Sequence, residues 1–278
     1  MNIFSVILFA FIGSCLGKLF FAYIEFENNI DFRKKLLEAG GIPWRYLLLF
    51  ICTPASTTIV DHSAFKGKRS LLILTEIFGA ISNGLFALSI AYLYGDSVLD
   101  SSYLVHFFFF YFGLVSLLYL SVYDLIYLAI PIKFTMRILF ASVVIQIIIF
   151  TFKTIGILNS EIFSSIGTIG NIAGFLILYL GTFGLILITK EEGIGAGDAD
   201  INGFVGLMLS IPGGIVFMFV TVFVGSIVGL VYAGILRKIK GVIIPMVPLI
   251  CIGYTITIGF GENLLKLVTT TALIDLFI

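Results

Sequence analysis

The sequence predicts an all-α polytopic membrane protein of about eight transmembrane helices, and three observations carry that expectation. Hydrophobic residues make up 60% of the 278 residues and charged residues only 12%, against about a quarter charged in an ordinary soluble domain. Mean hydropathy is +1.17. The apolar residues fall into stretches of roughly 18 to 25, the length that carries a helix across about 30 Å of hydrocarbon.

Taken in order, the first stretch is 2–24. No Lys or Arg precedes it and it runs on past Cys15, so it is predicted as a retained helix rather than a signal peptide. Residues 25–70 form the one sizeable polar segment, with Arg33, Lys34, Lys35, Arg45, Lys66, Lys68 and Arg69. Its apolar interruption Leu47-Leu48-Leu49-Phe50-Ile51 is too short to span and is expected on the membrane surface. The further spans are predicted at 71–95, 101–121, 132–152, 166–188, 214–236 and 243–261, with a short piece at 199–210. That piece rises only about 18 Å as a helix. It is expected as a half-helix or a short crossing whose ends other helices must cover. The Phe107–Phe110 run is expected to face lipid. The whole chain, 1–278, reads as a single membrane-embedded domain whose helical core is 101–261.

Cytoplasmic loops are enriched in Lys and Arg. Placing 25–70 in the cytoplasm puts Lys133, Arg137, Lys190, Arg237, Lys238 and Lys240 on the same side, whereas the connection 95–100 has no basic residue. Both termini are therefore expected outside. Zero formal net charge argues against nucleic acid as a partner, because phosphate binding needs a concentrated basic face. Cys15, Cys52 and Cys251 show no C-x-x-C spacing. They predict neither a zinc site nor a redox pair, and no metal is expected.

Acids at membrane depth are costly and are functional candidates until a partner explains them. Glu76, Asp124, Asp198 and Asp200 qualify. Asp124 closes the third span and is followed by Leu125 to Ile130 and then Pro131, which forbids a continuous helix. Asp198 ends Gly193-Ile194-Gly195-Ala196-Gly197-Asp198, where alternating glycines let the backbone take positive φ and come close to another chain. Both carboxyls are expected at the cytoplasmic boundary. Two such groups held close cannot both ionise, so they share a proton, and one can act as base on water while the other polarises a carbonyl. Asp198 also suits a simpler role as cap of the following helix. Nucleotide binding by the glycine loop is excluded by context, since no βαβ pattern surrounds it and an acid follows the last glycine.

This combination resembles the type IV prepilin peptidases, a branch of the membrane aspartic proteases with a G-x-G-D motif. The resemblance rests on Asp124 seven residues before Pro131, on Gly193, Gly195, Gly197 and Asp198, and on Ile244-Pro245-Met246-Val247-Pro248 opening the last helix. Glu76 in Leu74-Thr75-Glu76-Ile77-Phe78-Gly79 and the first-helix Gly13-Ser14 with Leu16 add to it. It implies an inner-membrane endopeptidase with Asp124 and Asp198 as catalytic pair, cutting prepilin or pseudopilin precursors between a basic leader and an apolar helix. Glu191, Glu192 and Asp200 are the expected contacts for that leader. Residues 25–70 lack the paired C-x-x-C motifs of many members, so zinc is not expected. S-adenosylmethionine is implied as a cofactor only if the family's methylation of the new N-terminus is retained. Where the family's second motif continues Asp-x-Lys, this chain has Asp200.

Two other readings remain open from sequence. Tyr123-Asp124 with Gly195-Ala196-Gly197-Asp198 also fits the presenilin and signal-peptide-peptidase branch, although Pro-Ala-Leu is absent. An ion-coupled transporter would use the acids as ligands and 199–210 as a broken helix.

Overall fold

A computed structural model describes residues 3–31, 34, 68–94, 101–155, 169–190, 195–237 and 244–277. Among them the ordered elements are all helical: α1 (Ile3–Asn28), α2 (Arg69–Tyr94), α3 (Ser101–Tyr127), α4 (Ile132–Thr154), α5 (Ile169–Thr189), α6 (Ala196–Leu236) and α7 (Val247–Phe277). Six of these helices are long and apolar enough to cross a membrane, and α7 carries a shorter apolar stretch, Val247–Gly261. The chain is a polytopic membrane protein.

Several boundaries differ from the sequence expectation. Helix α1 runs to Asn28 rather than 24, so Glu25 and Glu27 are helical and not part of a loop. The extension is stabilised where Lys68, just before α2, pairs with the buried Glu25 carboxylate, which also accepts from Asn29 at 3.1 Å. Helix α3 continues to Tyr127, which puts Asp124 inside its final turn. Helix α7 continues past 261 to Phe277. The expected surface segment at 47–51, the connection 95–100 and Cys52 lie outside the described residues.

The pieces predicted separately at 199–210 and 214–236 form one element, α6, broken at Ser210, whose backbone takes φ 63° and ψ −178°. That region is nearly closed to a residue with a side chain and costs about 1–3 kcal/mol. The chain reverses there. Along the first arm, Asn202 bonds Thr182, Gly203 packs on Phe175 and Tyr179, and Gly206 meets Gly174, so the arm climbs α5 in antiparallel fashion. Past the break, Gly214 touches Leu178, back down α5, and then Gly225 and Gly229 approach Leu249 and Ile244 of the α7 end. The first arm is thus a short limb that turns back inside the protein. Its residues Ala199, Ile201, Phe204, Val205 and Met208 are all buried, as a half-length limb in lipid requires.

Lipid offers no hydrophobic drive between helices, so close approach of small residues takes its place. A Cβ at Gly13 would stand 2.0 Å from the Gly79 carbonyl oxygen, and one at Gly17 2.2 Å from that of Thr75. The α1–α2 pair is therefore in backbone contact. Gly174 and Gly206 do the same for α5 and α6. The Phe107–Phe110 run corrects its expectation: Phe108 faces outward, but Phe109 and Phe110 are buried in the core around Leu114, Leu117 and Tyr254.

Candidate active site

Asp124 and Asp198 come to the same end of the bundle from opposite helix termini. Asp124 sits in the last turn of α3, which ends because Leu128 turns left-handed (φ 50°) and donates its amide to the Asp124 carbonyl at 2.8 Å. Pro131 then serves as N-cap of α4, with φ −75° and ψ 95°. Asp124 itself is 7% exposed.

Its carboxylate is held by the start of α7. The Val247 amide donates to Asp124 Oδ2 at 3.1 Å, and the Met246 amide adds to it. The segment around Pro245 leaves these donors free. Pro248 has no N–H, while the Leu249 and Ile250 amides both turn back to the Met246 carbonyl at 3.0 and 3.1 Å. The donors left at the mouth of α7 are therefore those of Met246 and Val247, aimed at an anion as helix N-termini favour.

Asp198 occupies the third position of α6, 6% exposed, and not the cap position itself. Gly195 is the cap. The Gly195 amide donates to Asp198 Oδ2 at 2.9 Å while the Asp198 amide donates to the Gly195 carbonyl at 3.0 Å. Asp198 is thus not the N-cap foreseen from sequence: one of its carboxylate oxygens reaches back from the third position to the amide of the cap residue. The Asp198 charge is among those acting on Asp124.

Of the two properties expected of the glycines, positive φ and close approach, the described Gly195 and Gly197 lack the first, and Gly197 shows the second. Gly195 has φ −86° and ψ 159°, ordinary extended backbone, and Gly197 lies within the helix. What Gly197 supplies is proximity: a Cβ there would come within 2.9 Å of the Ile130 side chain. The Ile130-Pro131 step after Asp124 is thereby seated against the turn that presents Asp198. Three separate motifs, at Asp124–Pro131, Gly195–Asp198 and Pro245–Pro248, meet at one place.

The other expected residues are distributed unevenly. Glu76 faces α1, where Ser14 donates to its Oε1 at 3.0 Å and the fully buried Lys18 stands 3.5 Å away. Its described bonds are interhelical ties. Asp200 is half-buried on the first arm of α6. Glu191, Glu192 and Gly193 lie outside the described residues. Among the described residues, no group of His, Cys, Asp or Glu could hold a metal ion. Sequence reasoning missed the Met246 and Val247 amides, for which only the proline spacing gave a signal. It also missed Gln146 and Asn171, whose polarity inside apolar spans was a signal left unused.

Residues 109–232 match the model of the type IV leader peptidase family. The matched stretch includes Asp124, Pro131 and Gly193 to Asp198, and leaves Glu76 and Pro245 outside it. Comparison with curated proteins and with solved structures gives no match.

Proposed function

Starting from a chain that carries the type IV leader peptidase region over residues 109–232, we propose an aspartic endopeptidase that removes the basic leader of prepilin-like or pseudopilin precursors at the cytoplasmic face of the inner membrane. The family match supports a peptidase with prepilin-type substrates in general. The observation that carries the finer reading is the meeting of two buried carboxyls, each anchored by backbone amides, at one end of the bundle.

The Val247 amide holds Asp124 Oδ2 and the Gly195 amide holds Asp198 Oδ2, and in this reading the other oxygens serve a water and each other. The pair shares one proton. The ionised member takes a proton from water, which attacks the scissile carbonyl, and the protonated member hydrogen-bonds the developing oxyanion and then supplies a proton to the leaving amine. Water and the two carboxyls suffice for this hydrolysis. The precursor's leader stays in the cytoplasm, where Glu191, Glu192 and Asp200 attract its basic residues, and its apolar helix rests among the spans. Methylation of the new N-terminus by S-adenosylmethionine is a separate question, answered by the mass of the product.

The test is incubation of the membrane-embedded protein with a prepilin peptide carrying a Lys/Arg-rich leader, read by mass. Asp124→Asn and Asp198→Asn, separately, lower the cleavage rate by at least about a thousandfold while the protein still inserts. Full activity in either variant removes that residue from the mechanism. A neutral leader cleaved as well as the basic one removes the acidic attraction.

The break at Ser210 is also what an ion transporter's discontinuous helix offers. Its Leu207 carbonyl, however, accepts two side-chain amides, at 2.9 Å each, where a transporter would present it to an ion.

A further inference from the structure

The first arm of α6 is short, carries Asp198 at its lower end, and reverses at its upper end on a residue whose backbone conformation resists it. In an unbroken helix the Leu207 carbonyl would accept from the Ile211 amide, one residue beyond the break, and Pro212 has no amide to offer Met208. Two side chains from other helices converge on that carbonyl. Gln146 Nε2 of α4 and Asn171 Nδ2 of α5 each donate to Leu207 O at 2.9 Å, and both residues are buried within apolar spans. A buried amide in such a setting is costly unless bonded. Each gives a donor to the same oxygen.

The two ends of the arm are thereby tied to different parts of the bundle. Below, Gly197 seats against Ile130 and the Gly195 amide holds Asp198. Above, α4 and α5 hold Leu207. Between them lies about 14 Å of helix from Asp198 to Leu207, so tilt permitted at the top reappears as displacement of the carboxyl at the bottom.

We infer that Gln146 and Asn171 are positioning residues, a two-helix clamp on the Leu207 carbonyl that fixes the re-entrant arm and hence the place of Asp198 opposite Asp124. The proposal rests on the peptidase reading for its kinetic consequence and is independent of it for its geometric one. A displaced catalytic group costs turnover more than binding, and a shift near 1 Å can cost about a hundredfold.

The experiment uses the full chain in lipid nanodiscs, with Gln146→Leu, Asn171→Leu and the double variant. Cleavage of the basic-leader peptide gives kcat and KM. Spin labels on exposed cysteines placed at Ala196 and Tyr127, in a background with Cys15, Cys52 and Cys251 changed to Ala, report the distance between the α6 start and the α3 end. Each single variant lowers kcat roughly three- to tenfold with KM within about twofold, and broadens the distance distribution. The double variant lowers kcat about a hundredfold and broadens the distribution further. An unchanged distribution and kcat in the single variants overturns the proposal, as does a loss expressed in KM alone. If the parent protein cleaves nothing, the distance measurement still decides the clamp while the peptidase reading fails on its own. If the double variant does not accumulate, the single variants, each keeping one donor, decide it.

Discussion

Asp124 is placed where its own helix opposes it, since the C-terminal turn of α3 carries the negative end of the macrodipole and the residue is buried. The opposing contribution comes from α7, whose N-terminus supplies amide donors. Asp198 has the reverse arrangement, in the first turn of its own helix. The aspartates and Gly197 were legible in the sequence because a charge in an apolar chain and a missing side chain are both visible there. The amides of Met246 and Val247 were not, because every residue except proline carries one. Changing Val247 to Pro tests their weight. Proline is tolerated at a helix's first position, yet it deletes the donor to Asp124. A hydrogen bond to a charged group contributes about 1.5–3 kcal/mol, so kcat falls by roughly ten- to a hundredfold with helical circular dichroism retained. An unaltered rate assigns Asp124's support elsewhere.

Among elements, the α1–α2 pair shows what holds spans together when water is absent. Gly13, Gly17 and Gly79 bring the backbones into contact, and Lys18 and Glu76 form an ion pair beside them. Lys18→Met removes the cation that stands 3.5 Å from the Glu76 carboxylate, which destabilises the protein by about 2 kcal/mol or more. Lys18→Met combined with Glu76→Met recovers most of that loss, since removing both partners leaves no uncompensated charge. Thermal unfolding in detergent measures both; equal loss in the single and double variants would show that the pair contributes through packing instead. Span positions were readable from hydropathy, but their ends were not. Glu25 reads as loop until Lys68 arrives from 43 residues away, and Asp124 reads as a boundary until α7 covers it.

At the scale of the molecule, the ends of α3 and α5 and the starts of α4, α6 and α7 gather at one end, and the reversal at Ser210 returns the second arm of α6 there as well. Cysteines introduced at Lys190 and Arg237 therefore react with a membrane-impermeant maleimide from the same side, and one at Lys153 from the other. Labelling of Arg237→Cys from the side opposite Lys190→Cys would mean that α6 crosses once without reversing.

The sequence by itself determined the class of the protein, the approximate spans and the short limb at 199–210, and singled out the two aspartates as candidates, because hydropathy, helix-breaking prolines and isolated charges are local properties. Only the tertiary structure decided that Asp124 leans on the start of α7, that Gly197 serves closeness rather than positive φ, and that Gln146 and Asn171 meet on one carbonyl. Those are contacts between residues tens to more than a hundred positions apart. They answer the cost of leaving a polar group unbonded in an apolar interior, a condition on the folded whole that no local stretch of sequence expresses.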